Sequence, residues 1–285
     1  IKGDDEMYTD LHTHSEASDG TLTPAELVKM AKKAGLSSVA LTDHDTVDGI
    51  DEFMHEGSKE HIETIAGIEL AAAYKNTELH IVGLFIDHKS KALTESMDYI
   101  VNERNERNEK MIRALARNGI EVSLEELEKN AGGRIITRAH YANVMVEKGY
   151  VKTKEEAFDR YISSGRPGYV KRETLTPKKC IEVIRDSGGV PVLAHATLYG
   201  FGYLEIHQLV GELKNYGLMA METMYSTYTA RQSDEIRKIC DSYGLFKSGG
   251  SDFHGANKPD IELGVGRGNL RIPQKFAEDM KEALK

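Results

Sequence analysis

At 285 residues, 40% of them hydrophobic and 29% charged, the chain can bury the core of one barrel or two ordinary domains, which excludes a disordered or fibrous polypeptide. No apolar run is long enough to span a membrane and the acidic start, Ile1 to Glu6, has no hydrophobic signal core, so a cytoplasmic protein with no membrane partner is expected. The formal net charge of −9 argues against a surface for duplex nucleic acid, yet it leaves room for a small anion held by a metal and a few local cations.

Met7 to Leu11 reads as a first strand running into His12-Thr13-His14. Residues two apart on a strand share a side, so these imidazoles fan from the strand tip into one place. Such a pair is a metal clasp in some proteins and a chance or core pair in others, and alone it decides nothing. Thr23-Pro24-Ala25-Glu26 opens a helix with a capping box and a proline at its first position, and Gly35 stops it. Ser38 to Leu41 is a strand that ends in Thr42-Asp43-His44-Asp45. A helical stretch from Thr46 to Lys59 leads to a third strand at Ile62 to Ala66, followed by Gly67-Ile68-Glu69-Leu70. Leu79 to Phe85 is a fourth strand, with His80 near its start. Short apolar strands separated by helices predict a parallel sheet covered on both faces, with its site at the carboxyl ends of the strands.

The middle of the chain breaks this rhythm. A long helix is expected from Lys91 to Asn118, its Glu-Arg-Asn-Glu-Arg-Asn-Glu-Lys run reading as a solvated face. Further helices are expected at Leu124 to Lys129, Arg138 to Lys148 and Lys154 to Ile162. Residues 96–171 therefore read as an all-helical insertion lying over the strand ends of a barrel domain formed by 7–95 and 172–285. The alternation resumes with a helix at Pro177 to Ser187 and strands at Val190 to Ala194, Leu218 to Met221 and Leu245 to Ser248. These strands end in His195, Glu222 and Gly249-Gly250-Ser251-Asp252-Phe253-His254. Helices are expected at Glu205 to Asn215, Arg231 to Ser242 and Gln274 to Leu284. Cys180 and Cys240 lie far apart and read as apolar helix-face residues in a reducing compartment.

Nine residues then fall near strand ends: His12, His14, Asp19, His44, Glu69, His80, His195, Asp252 and His254. A lone histidine there is more often a hydrogen-bonded core residue, but six of the chain's eleven histidines share such places. Nine donors exceed the needs of one ion and suit two or three divalent ions with bridging carboxylates. Imidazole with carboxylate favours Zn, Mn or Fe over Mg or Ca.

The segments Asp10-Leu11-His12-Thr13-His14-Ser15, Ser18-Asp19-Gly20, Thr42-Asp43-His44-Asp45, Gly67-Ile68-Glu69, His80-Ile81-Val82-Gly83, Ala194-His195-Ala196 and Gly250-Ser251-Asp252-Phe253-His254 resemble the ordered motifs of the PHP (polymerase and histidinol phosphatase) superfamily. The helical insertion resembles its stand-alone branch, whose members remove the 3′-phosphate of 3′,5′-bisphosphonucleosides or trim short RNA from its 5′ end. The resemblance implies an α/β fold, a distorted (β/α)7 barrel with an all-helical insertion and a trinuclear metal site. It implies one ion on His12, His14, Glu69 and Asp252, a second on Glu69, His80 and His195, and a third on Asp19, His44 and His254. Ile136-Thr137-Arg138-Ala139-His140 also resembles this branch and makes Arg138 and His140 candidates for phosphate contact. Tyr225 and Tyr228 are candidates for stacking on a base. After Glu222 the chain reads Thr-Met-Tyr-Ser-Thr-Tyr, where relatives usually show Glu-Val-Tyr and then Pro-Ser-His, a departure that falls on the substrate rim.

The expected activity is hydrolysis of a phosphate monoester on a small metabolite, a nucleotide first of all, or of short single-stranded RNA, by metal-hydroxide attack on phosphorus. Arg138, Asp252 and His254 are expected to act at the reacting phosphate. A histidinol-phosphate phosphatase-like enzyme is the first alternative, distinguished by its substrate. A non-catalytic metal-binding regulatory module is the second, and the loss of a ligand would mark it.

Overall fold

The computed structural model describes residues 7–131, 136–171 and 173–285. Seven strands lie side by side in chain order. The first three, β1 (Thr9–Asp10), β2 (Ser38–Leu41) and β3 (Glu63–Tyr74), are parallel neighbours. The next, β4 (Thr77–Leu84), runs antiparallel to β3 on one side and to β5 (Val190–Leu193) on the other. Strands β6 (Ala220–Tyr225) and β7 (Phe246–Gly250) restore the parallel run. The sheet then curls back on itself: Leu11 N–H donates to the Gly249 carbonyl at 3.2 Å, and Asp252 N–H to the His12 carbonyl at 2.9 Å. The result is a nearly closed, distorted (β/α)7 barrel. Residue 250 has to be glycine for this closure, because a Cβ there would collide with the Cβ of His12.

Around the strands lie α1 (Pro24–Lys33) and α2 (Ile50–Glu60). The first begins as its sequence dictates, with Thr23 Oγ1 accepting Glu26 N–H and the Glu26 side chain returning to Thr23 N–H. Alternate residues of β2 face opposite ways, as strand pleating requires. Val39 and Leu41 share a cluster with Leu27, Val28 and Ala31 of α1 and with Ile50 and Phe53 of α2. Ala40 joins Leu11, Ile65, Val82, Val192 and Ala220 in a second one.

The chain divides into two compact units, one up to Ser96 and again from Leu175 to Lys285, the other Met97–Thr174. The second unit starts within α3 (Lys91–Ala116) and continues with α4 (Leu124–Ala131), α5 (Arg138–Glu147), α6 (Lys154–Ala157) and a π-turn at Phe158–Ile162. Its described residues include no strand, and they have a core of their own around Met111, Leu115, Leu127, Tyr141 and Met145. Back in the barrel unit follow α7 (Pro177–Asp186), α8 (Tyr203–Tyr216), α9 (Ala230–Ser242) and α10 (Lys275–Glu282). Cys180 and Cys240 are both buried free thiols.

Two expectations need correction. The sheet is not parallel throughout, because Ala71 to Tyr74 prolong β3 and turn through Lys75-Asn76 directly into β4, with Tyr74 opposite Thr77. Lys75 takes a left-handed φ of 51° at this turn, a role that glycine or asparagine usually signals in a sequence. Nor is the charge run of α3 solvated all round. Arg104 and Arg107 are 9% and 6% exposed, in helical register with buried Asn108, Met111 and Leu115, and the Arg107 guanidinium donates to the Ile136 carbonyl at 3.3 Å.

Candidate metal centre

The structure brings all nine expected donor residues into one cluster at the strand ends of the barrel. His12 and His14 leave the tip of β1, and their ring Nε2 atoms lie 3.1 Å apart. Asp19 sits in the loop that follows, where a Cβ on Gly20 would crowd the backbone of His14 and Ser15. His44 lies just past β2 and forms a bridge with Glu69. Glu69 and His80 lie within β3 and β4 rather than at strand ends, because the hairpin extends both strands past their neighbours. His80 is directly opposite Ala71, so Glu69 lies diagonal to it on the same face. His195 and Asp252 follow β5 and β7 with φ values of 27° and 57°, unusual for residues other than glycine. These backbone angles turn the chain immediately after the strand.

Glu69 is the centre of the cluster and is fully buried. Its Oε2 lies 3.3 Å from Nε2 of both His12 and His14 and 2.9 Å from Nδ1 of His44. Its Oε1 lies 2.8 Å from Nδ1 of His80 and 3.0 Å from Nε2 of His195. Asp252 Oδ1 completes the first nest at 3.2 Å from His14 Nε2 and 3.7 Å from His12 Nε2. A third nest forms around Asp19, with His254 Nε2 at 3.2 Å and His44 Nε2 at 3.9 Å.

This donor set fits divalent cations. Ligand atoms about 2.1 Å from a tetrahedral ion stand roughly 3.4 Å from one another, close to the edges of the first nest. Four groups of three or four donors, among them His12 with His14 and Asp252, and His14 with Asp19, His44 and His254, lie within 4.8 Å of one another. The Nδ1 atoms of His14 and His195 are buried without a hydrogen bond, a state that proteins rarely leave unexplained by an ion or water.

Electrostatics point the same way. Burial works against ionising Glu69, yet His44, His80 and His12 hold its carboxyl well below the usual range. Burial is likewise outweighed at Asp252 and Asp19, which their histidine neighbours keep ionised. Burial lowers the His80 imidazole, but Glu69 and Glu78 together push it up to about 10. His12 is raised by Glu69 and Glu222 against the same burial, whereas burial and the neighbouring His254 and His44 pull His14 down to about 4.

Several residues that support the cluster were not singled out from the sequence. Glu222, 1% exposed, accepts from His12 Nδ1 at 2.7 Å through Oε1 and from the backbone N–H of His195 at 2.6 Å through Oε2. Buried Asp10 accepts the N–H groups of Ser251 and Gly264 at 2.9 and 2.8 Å. Asp43 accepts from Ser15 and Ser18, and burial pushes its carboxyl up to about 6 in spite of these bonds. Tyr199 accepts His80 N–H at 2.9 Å and donates to the Ala194 carbonyl at 2.8 Å. Glu222 carries the signal that marked His195, a polar residue at the end of an apolar strand.

The expected stacking of Tyr225 and Tyr228 on a base does not suit their placement. They are 4% and 5% exposed, their rings pack on each other with centroids 5.3 Å apart, and Tyr225 Oη–H donates to Asp252 Oδ2 at 2.6 Å. Tyr225 thus fixes a candidate ligand. His254 Nδ1 donates to the Asp252 carbonyl at 2.9 Å, which turns its Nε2 toward Asp19. Arg138 and His140 belong to the helical unit. Arg138 is the first residue of α5 and lies over the Tyr169 ring at 5.7 Å, while His140 Nδ1 accepts the Thr137 N–H at 3.0 Å and so caps the helix start.

The PHP domain family matches residues 10–165. The 5′-3′ exoribonuclease Rnm of Escherichia coli (strain K12) is 34% identical over 257 residues, covering 90% of this chain and 87% of that protein. A 3′,5′-nucleoside bisphosphate phosphatase of Chromobacterium violaceum is 30% identical over 256 residues, 90% of each chain. Among solved structures, an amidohydrolase from Chromobacterium violaceum with bound sulfate and no metal superposes with a TM-score of 0.84 at 29% identity, covering 96% of both chains.

Proposed function

We propose that this chain, which belongs to the PHP domain family, hydrolyses a phosphate monoester of a nucleotide, a 3′,5′-bisphosphate or a mononucleotide, with two or three divalent cations, Mn, Zn or Fe. The observation that carries this reading is Glu69, one buried carboxylate whose two oxygens face separate histidine nests. One cation would be held by His12, His14, Glu69 and Asp252, a second by Glu69, His80 and His195, and a third by Asp19, His44 and His254. Bound there, such cations supply Lewis acidity toward phosphoryl oxygens and a water of lowered pKa.

The chain's own residues do the rest. Glu222 keeps the His12 ring turned so that Nε2 faces the cluster. Tyr225 occupies Asp252 Oδ2 and leaves Oδ1 to the nest. His254, with its Nδ1–H committed to a backbone carbonyl, presents the lone pair of Nε2 to the Asp19 nest. On the sequence resemblance, Arg138 at the start of α5 is the candidate for a charge-assisted contact to a substrate phosphate. The name of one relative, a 5′-3′ exoribonuclease, supports a second reading in which short single-stranded RNA is trimmed from its 5′ end. Two buried free cysteines agree with a reducing, cytoplasmic setting, and no helix among the described residues is long and apolar enough to cross a membrane.

A hydrolysis panel tests both readings: mononucleotides, 3′,5′-bisphosphates, histidinol phosphate and 5′-phosphorylated oligoribonucleotides, each with Mn²⁺, Zn²⁺ or Fe²⁺. Released phosphate from nucleotides, abolished in Glu69→Gln with loss of bound metal by elemental analysis, is the expected result. A folded protein that never binds more than one ion would sink the multinuclear reading. Arg138→Ala is expected to lower kcat/KM about ten- to a hundredfold with metals retained. An unchanged kcat/KM on every accepted substrate would remove Arg138 from the phosphate.

A further inference from the structure

We propose that Lys258 is a phosphate-binding residue of this centre, donating from its ammonium group to a non-bridging oxygen of the substrate phosphoryl group. The proposal deepens the phosphoesterase reading and rests on it.

Lys258 follows the short 3₁₀ turn Gly255–Asn257, just beyond His254. Three hydrogen bonds fix that turn. Ala256 N–H donates to Thr21 Oγ1 at 2.9 Å, Asn257 Nδ2–H to the Asp19 carbonyl at 2.8 Å, and Lys258 N–H to the Gly255 carbonyl at 3.2 Å. The turn thereby ties the loop that carries Asp19 to the loop that carries Asp252 and His254. From it, Lys258 Nζ reaches Asp252 Oδ2 at 2.6 Å. Tyr225 donates to the same oxygen, and the other oxygen of Asp252 faces His12 and His14. The ammonium group thus stands one carboxylate away from the first nest.

Exposure separates the two partners of this ion pair. The Asp252 side chain is 8% exposed and that of Lys258 38%. The lysine lies at the boundary between cluster and solvent, which an incoming anion has to cross. An ammonium carries three N–H donors, and Asp252 accepts one of them. The remaining donors and the charge suit a tetrahedral dianion, for which lysine acts as a mobile point charge. Held against Asp252, the side chain needs little reordering to meet a phosphate that has reached the cations.

Phosphate itself is the probe, because its binding needs no turnover. Protein loaded with Mn²⁺ would be titrated with inorganic phosphate by calorimetry as the native chain, Lys258→Met and Lys258→Arg, with bound metal counted by elemental analysis and folding checked by thermal melting. The expected result is a Kd for phosphate raised at least about tenfold in Lys258→Met with metal content unchanged, and largely recovered in Lys258→Arg. Native phosphate affinity in Lys258→Met overturns the proposal. So does a loss of metal that accounts for the loss of phosphate, since Lys258 would then only hold Asp252 in place. If the native chain hydrolyses no phosphate ester while Lys258→Met still weakens phosphate, the catalytic reading fails and the binding assignment stands.

Discussion

One carboxylate, that of Glu222, joins two segments that are far apart in sequence and that each carry a candidate ligand. It orients His12 through the ring and His195 through the backbone. The second contact matters because His195 sits at a φ of 27°, a conformation that persists only where its surroundings impose it. Glu222→Gln keeps the volume but loses the charge, and one of its two contacts then meets an amide N–H in place of an oxygen. Loss of an outer partner of a ligating histidine typically costs about 10- to 100-fold in metal affinity. That loss is expected for Glu222→Gln, with little change in fold, and competition with a calibrated chelator measures it. Metal affinity equal to the native chain's would leave Glu222 as a core residue only.

Closure of the barrel between β1 and β7 is what brings His12 to Asp252 and His254. It depends on Gly250, whose missing Cβ lets β1 approach. Gly250→Ala is expected to push the two strands apart and cost about 1–3 kcal/mol, as overpacking of a buried contact does. A thermal melt reads this as a fall of several degrees, and an unchanged midpoint would show that the seam has slack. The same elements show what can be read from sequence. His12, His14, His44, His195, Asp252 and His254 lie shortly past the ends of expected strands, so the strand pattern announced them. The β3–β4 hairpin was hidden because Lys75-Asn76 lacks the glycine that marks such turns, and Ala71 to Ala73 carry little strand preference. Arg104 and Arg107 were misjudged because charge pattern alone does not show which face of a helix turns inward. Glu222 showed its strand-end position but not its partner, since nothing local links it to a histidine 210 positions away.

Taken whole, the molecule is an acidic chain that gathers six histidines and three carboxylates from six of the seven strands and their loops into one cluster. Its formal charge of −9 argues against a broad electrostatic surface for duplex nucleic acid. Protons compete with cations for the imidazoles of the cluster. The His80 imidazole, raised to about 10, is charged at neutral pH, and Glu69 raises His12 and His44 as well against their burial. A histidine ligates a metal only as the neutral ring, so each cation that enters has to displace protons. The sign follows: raising the pH weakens the competing proton, so cation affinity rises with pH. Cations that bind only the folded chain stabilise it by about 2.7 kcal/mol at a hundred times their Kd. At about 2–4 °C per kcal/mol for a unit of this size, removing them should lower the barrel's melting temperature by about 5–10 °C. The expected outcome is therefore a lower Tm after chelation with EDTA, by a larger margin at pH 8 than at pH 6. The helical unit Met97–Thr174 supplies none of the nine donors, so a melting step of its own should not move. Calorimetric scans of metal-loaded and chelated protein at the two pH values measure both, and a margin that is zero, or larger at pH 6, would contradict a cation site built on these histidines.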